Sequence, residues 1–150
     1  MRLVRTYPVC PLKDNLNTSK LTIFTDGAAR GNPGPAAIGC VIKDDKGTLV
    51  ASISRCLGAT TNNQAEYRAV IAALEKAVSL GARQVVLYSD SELVVKQING
   101  QYKIKHAALR PLYMEIVRLA GALESFKVFN IPRERNKEAD ALANKALDSN

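Results

Sequence analysis

No apolar run in the sequence approaches the ~20 residues of a membrane-spanning helix. The first residues, Met1 to Pro8, carry charge but lack the apolar stretch of a secretory signal. Neither a bilayer nor an export route is therefore expected. Cysteine is scarce, with three residues at positions 10, 40 and 56 and no Cys-x-x-Cys pair. Histidine is scarcer, with His106 alone. These shortages leave no disulfide framework and no thiolate–imidazole zinc site, and they fit a reducing cytoplasm. They also leave no convincing Ser/His or Cys/His nucleophile, since His106 reads as a surface residue. Acid is in short supply as well. Fourteen Asp+Glu stand against 21 Lys+Arg, for a net charge of +7. Acid is missing altogether over residues 93–114, which hold Lys96, Tyr102, Lys103, Lys105, His106 and Arg110. Soluble surfaces usually mix signs, so an acid-free window suggests a polyanionic partner. Lys103 and Lys105 are the candidates for tracking its phosphates.

What is present is an ordinary globular composition, 47% hydrophobic over 150 residues, enough for one domain with a real core. Residues 1–19 show no sustained period and read as an irregular extension; residues 20–150 read as the domain. Lys20–Asp26 is rich in β-branched and aromatic residues and reads as a strand that Asp26 ends. Gly27–Pro35, with three glycines and two prolines, reads as a turn. Ala37–Lys43 and Thr48–Arg55 read as two more strands, joined by the hairpin Asp44–Gly47 with position 40 pairing near 51, which keeps Cys40 and Cys56 apart. Thr61 and Gln64 fit a capping box opening a long helix that Gly81 stops. Gln84–Ser89 reads as a strand covered on both faces. A short helix over Ser91–Ile98, a longer one over about Ala107–Leu123 with Pro111 as an alternative start, a strand over Phe126–Ile131 and a last helix capped by Asn136 complete the chain. The fold class is α/β: a five-stranded mixed sheet, antiparallel then parallel, flanked by helices.

Four carboxylates fall at the ends of these elements. They are Asp26, Glu66 in the first turn of the long helix, Asp90 after the fourth strand, and Asp140 near the start of the last helix. Only a fold could bring together positions separated by 40, 24 and 50 residues. Individually, three of them suit helix starts, where a negative charge is favoured. Asp26 suits its strand poorly. Jointly they make sense as hard oxygen ligands. Clustered carboxylates repel one another and need cations, and Mg²⁺ prefers such ligands together with phosphate oxygens. Two such ions serve in-line phosphoryl displacement.

Four blocks carry a resemblance. They are Thr25–Pro35, Thr60–Glu66, Ser89–Val94 and Asn136–Ala143, and in this order they resemble the blocks of type 1 ribonuclease H across about residues 20–147. The resemblance implies the ribonuclease H-like fold. It also implies endonucleolytic cleavage of the RNA strand of RNA–DNA hybrids, dependent on Mg²⁺ or Mn²⁺, giving 5′-phosphate and 3′-hydroxyl ends. It implies Asp26, Glu66, Asp90 and Asp140 as catalytic metal ligands, with two ions when substrate is bound. Asn32, Asn62 and Asn63 match positions that contact the minor groove, where amides suit 2′-hydroxyls. Thr61 matches a position that binds a DNA phosphate. Glycines 27, 31 and 34 would let backbone approach the substrate.

The chain departs from the family in two places. The loop Ile131–Asn136 lacks the histidine often found before the last carboxylate, and Arg133, in preference to Arg135, is the candidate to replace it. The connector Asn99–His106 is too short for the full basic protrusion of some members, so weak substrate affinity is expected. Residues 1–19 do not resemble the separate hybrid-binding domain of some relatives. A monomer is expected. A 3′–5′ exonuclease of the same superfamily is disfavoured by the Glu66 block and the hairpin-first order. A non-catalytic module binding hybrid or double-stranded RNA is disfavoured because clustered negative charge beside phosphate would serve it nothing.

Overall fold

The computed structural model describes residues 17–149. Most of the expected extension, including Cys10, lies outside them. Its last residues lead into the sheet: Thr18 Oγ1 donates to Leu80 O at 2.7 Å and Ser19 O accepts from Arg83 N at 2.8 Å. Five strands follow in chain order: β1 (Lys20–Ala29), β2 (Gly34–Asp44), β3 (Leu49–Thr60), β4 (Gln84–Ser89) and β5 (Ser125–Asn130). They form one mixed sheet in the order β3-β2-β1-β4-β5. The β1–β2 and β2–β3 pairs are antiparallel, and β1–β4 and β4–β5 are parallel. The helices are α1 (Asn62–Ser79), α2 (Glu92–Ile98), α3 (Arg110–Ala120) and α4 (Lys137–Asp148). No helix among the described residues is long and apolar enough to cross a membrane.

Alternation along the strands decides what lies on each face. Leu21 and Ile23 of β1, Ile38, Cys40 and Ile42 of β2, and Val85 and Leu87 of β4 point to one side. There they meet Tyr67, Val70 and Leu74 of α1 in the main core. Thr61 caps α1, its Oγ1 accepting from Gln64 N at 3.2 Å. The Gln64 side chain does not complete the expected box; it meets the Thr60 hydroxyl instead. Gly81, at φ +81°, ends the helix, donating to Val78 O at 3.0 Å while Ala82 N returns to Ala77 O.

On the opposite face α4 lays a stripe of small residues, Ala139, Ala143 and Ala146, against Ala37 and Gly39. The approach is close enough that a Cβ on Gly39 would lie 2.1 Å from Ala139 O. α4 covers only the β1–β3 half of this face. Contrary to the expectation for β4, its outer side is therefore only half-buried. There Phe24, Tyr88 and Phe129 form a row of rings across β1, β4 and β5, with centroids 5.2 and 5.9 Å apart.

Several boundaries differ from expectation. β1 does not stop at Asp26 but runs on to Ala29, and β2 starts already at Gly34, so the expected turn shrinks to Arg30–Pro33. Gly27 and Gly34 there serve backbone pairing and close approach, while Gly31, at φ +106°, reverses the chain. In the β2–β3 hairpin Cys40 faces Ile53, not residue 51. A bulge between Ile42 and Lys43 moves the register, and Asp44 Oδ1 holds the turn through Lys46 N and Thr48 N, both at 2.9 Å. Cys40 and Cys56 are free, as the pairing implied. The long third helix is divided into a 3-10 turn, Ala107–Leu109, and α3, which stops at Ala120. Asn136 stands at the head of α4 but makes no side-chain cap bond.

A Gly39→Ala substitution is expected to force α4 off the sheet, costing about 3 kcal/mol or more. Urea denaturation would register this as a lowered midpoint, and an unchanged midpoint would contradict the packing.

Candidate metal centre and nucleic-acid interface

The site forms where β1 and β4 run parallel toward one end and the head of α1 packs against them. Asp26 is not at a strand end. It sits inside β1, opposite Gly39, and is buried. The next residue explains how Glu66 reaches it. A Cβ on Gly27 would lie 2.3 Å from Ala65 C and 2.4 Å from Glu66 N. Only a glycine allows β1 and α1 to touch backbone to backbone at this point. Gly27 thus lets β1 approach the head of α1. Its N–H then donates to Glu66 Oε1 at 3.0 Å. Glu66 lies one turn inside α1 and is buried, so it does not serve the helix N-terminus. Asp90 follows β4 directly, and Ser91, whose Oγ accepts from Val94 N at 3.4 Å, caps α2 in its place.

Ligand atoms of Asp26, Glu66 and Asp90 all lie within 4.8 Å of one another. Asp140, from the first turn of α4, is outside that tight set. Its carboxyl stands beside Asp26 and the two interact by hydrogen bond and charge. Burial, then the Asp140 hydrogen bond and the charge of Asp90, push the Asp26 carboxyl up to about 8. Burial, then Asp26 and Asp90, hold Glu66 well above the usual carboxylate range, against the pull of the Gly27 N–H. Without a counter-cation the cluster thus retains protons at neutral pH. The donor set is oxygen alone, with no sulfur or imidazole nitrogen, and it fits a hard divalent cation.

Sequence reasoning took Asn136 for a helix cap. Its side chain is instead part of the site. Nδ2 donates to Thr25 O at 2.8 Å and to Asp90 Oδ2 at 2.9 Å, joining β1, β4 and α4. Its Oδ1 is buried with no hydrogen-bond partner among the described residues, which costs roughly 1–3 kcal/mol. The only signal in the sequence was its place in the fourth block.

Around the carboxylates the other candidates divide. Arg133, in the 3-10 turn before α4, is 80% exposed with Nη2 3.9 Å from Asp140 Oδ1. Its charge lowers the carboxyls of both Asp26 and Glu66. Arg135 lines a recess with Phe24 and makes no ion pair with the four carboxylates among the described residues. Asn32 Oδ1 accepts from Asn62 N at 3.1 Å, which ties the β1–β2 loop to the head of α1 and leaves Nδ2 as the outward donor. Asn63 shares a groove with Gln97, Tyr102, Lys103, Lys105 and His106. Lys103 and Lys105 are exposed and make no ion pair among the described residues. Lys96 is engaged, 3.3 Å from Glu92 and 3.4 Å from the Tyr102 hydroxyl. His106 caps the 3-10 turn, its Nδ1 accepting from Ala108 N. Sequence reasoning also missed a buried bridge: Tyr67 Oη donates to Gln97 Oε1 at 2.8 Å, and Gln97 Nε2 donates to Lys103 O at 3.4 Å.

A family model described as reverse transcriptase-like matches residues 24–146. A bifunctional protein of Mycobacterium tuberculosis is 44% identical over 131 residues, which are 87% of this chain and 36% of that protein. Ribonuclease HI of Halobacterium salinarum is 44% identical over 125 residues, 83% of this chain and 63% of its own length. The chain thus spans less than two thirds of either relative. The crystal structure of the Halobacterium ribonuclease H1 superimposes with a TM-score of 0.85 at 42% identity, covering 87% of this chain and 99% of that one. LC11-RNase H1, crystallised in complex with an RNA/DNA hybrid, gives a TM-score of 0.82 at 42% identity over 86% and 97% of the two chains.

The raised carboxyl of Asp26 sets a sign for stability. Its folded value near 8 lies above its unfolded value of about 4, so its protonated form stabilises the metal-free fold and that support fades as pH rises from 4 through 8. Asp26→Asn, which never ionises, is expected to be more stable than the wild type by about 2 kcal/mol or more at pH 8.5 in EDTA, seen as a higher unfolding temperature. Near pH 4 the two should coincide. A difference that does not vary with pH would count against the buried, proton-holding site.

Proposed function

The chain belongs to the ribonuclease H family, and on that premise we propose that it is an endonuclease cutting the RNA strand of RNA–DNA hybrids. One observation carries the reading: the convergence of Asp26, Glu66 and Asp90 within 4.8 Å at the parallel end of β1 and β4. Residues 20–150 are its catalytic domain and residues 1–19 an extension to it. Asp26, Glu66, Asp90 and Asp140 would hold two Mg²⁺ ions with substrate bound, Mn²⁺ being a possible substitute. Such a pair, when bound, activates a water for in-line attack and stabilises the leaving oxygen.

The protein's own groups supply the remaining chemistry. Burial of Asp26 and Glu66 keeps bulk water from competing for the ligands. Arg133, exposed and beside Asp140, is placed to meet the scissile phosphate or the leaving group in the role of the missing loop histidine. The Asn32 Nδ2 and the amides of Asn62 and Asn63 meet groove acceptors and 2′-hydroxyls, which both donate and accept. RNA-strand selectivity then comes from the 2′-hydroxyl and the shape of the hybrid. The Thr61 oxygen accepts from Gln64 N, yet its hydroxyl proton stays available for a DNA phosphate, so cap and contact coexist. Lys103 and Lys105 track phosphates further along the duplex. Cleavage leaves 5′-phosphate and 3′-hydroxyl ends.

The test is a labelled hybrid incubated with Mg²⁺, Mn²⁺ or EDTA, beside single-stranded RNA, duplex DNA and duplex RNA. Cleavage of the hybrid's RNA strand is expected with either metal and not with EDTA; no cleavage under any metal overturns the reading. Asp26→Asn should reduce turnover by roughly a hundredfold or more. Replacing both Lys103 and Lys105 with Ala should flatten the dependence of log affinity on log salt by about 1–2. An unchanged slope in hybrid-binding titrations would remove the two lysines from the interface.

A further inference from the structure

The Asn136 amide is 1% exposed at the junction of β1, β4 and α4, within bonding distance of two acceptors. One is the backbone carbonyl of Thr25, fixed by the sheet. The other is a carboxylate oxygen of Asp90. Two acceptors facing the same nitrogen settle the amide's orientation, because the flipped form would set Oδ1 against both. The price is the buried Oδ1 with no partner. A side chain used only to start α4 would have bonded the helix N–H groups, and Asn136 does not. From these contacts we infer that Asn136 is a positioning residue. It clamps the Asp90 side chain to the β1 backbone, so that the carboxylate is held in the rotamer that meets Asp26 and Glu66.

Asp90 needs such a clamp more than its neighbours. Asp26 is held inside a central strand, and Glu66 is held by the Gly27 N–H. Asp90 lies just beyond the end of β4, half-buried, and among the described residues Asn136 alone donates a side-chain hydrogen bond to its carboxylate. Partners of metal-ligating carboxylates typically govern affinity by about 10- to 100-fold, because they remove the cost of ordering the ligand at binding. The inference rests on the reading that Asp90 ligates a divalent cation.

The experiment is calorimetric titration of Mn²⁺, without nucleic acid, into wild type, Asn136→Ala, Asp90→Asn and the double variant. Asn136→Ala is expected to bind Mn²⁺ about 10- to 100-fold more weakly than wild type. In the Asp90→Asn background the same change should alter affinity by less than about twofold, since the carboxylate to be positioned is gone. In hybrid cleavage, Asn136→Ala should need more Mg²⁺ while keeping its KM for the hybrid, which a general loosening of the fold would not do. Equal Mn²⁺ affinity in wild type and Asn136→Ala overturns the inference alone. A wild type that binds no Mn²⁺ overturns the cation reading beneath it. Should Asn136→Ala not fold, labelled wild-type protein serves: a scalar coupling from Asn136 Nδ2 across the hydrogen bond to Asp90 Cγ is expected in NMR, and its absence overturns the clamp.

Discussion

Carboxylates gathered a few ångströms apart and shielded from water repel one another, and protons or cations must relieve that repulsion. Most of the architecture at this end of the sheet answers that constraint. The central strand carries Asp26 into the interior. Gly27 gives up its side chain so that α1 can bring Glu66 alongside. The amide of Asn136 holds Asp90 at the expense of an unpaired oxygen. Asp90 and Asp140 are both half-buried, and Arg133 stands beside Asp140. Three well-anchored carboxylates and a fourth beside an exposed arginine make a pocket that is fixed on the protein side, as the proposed cation and phosphate site would require.

The order of strands and helices was legible because its signals are local: the β-branched run of β1, the Thr61 cap, the glycine stop at residue 81. The four carboxylates were legible because each sits beside such a signal. The limits of β1 and β2 were not. A Gly/Pro-rich segment reads as a turn, yet Gly27 and Gly34 serve places where backbones nearly touch, and that need is created by α1 and the Arg30 carbonyl. Asn136 misled for a related reason. An asparagine before a helix is a local cap unless tertiary acceptors outbid the helix, and Thr25 lies 111 positions away. The hairpin register failed on one bulge and on a turn one residue longer than expected, which sets Lys43 opposite Leu49. The exposed outer side of β4 was hidden because an apolar strand looks the same whether a helix or a row of aromatic rings lies over it.

Charge counted along the chain also overstated what is free. The acid-free window holds Lys96, but Glu92 and Tyr102 occupy that ammonium. The lysines that remain unpaired lie in the short connector before α3. This connector is not a loose tether, because the bridge from Tyr67 through Gln97 fastens the Lys103 carbonyl to the core. A shorter basic segment with a fixed backbone loses less freedom on meeting phosphate than a long one would.

The loop Arg30–Pro33 is joined to more of the molecule than its length suggests. Asn32 bonds the head of α1, and Arg30 pairs with Asp148 at the far end of α4. One helix carries Glu66 and the other Asp140. Under the proposed function, a duplex seated on this loop would bear on the helices of two of the four carboxylates at once, from opposite faces of the sheet. Loop and pocket thus share a single mechanical frame, and on the proposed reading an error in how the duplex seats would become an error in how the pocket is aligned.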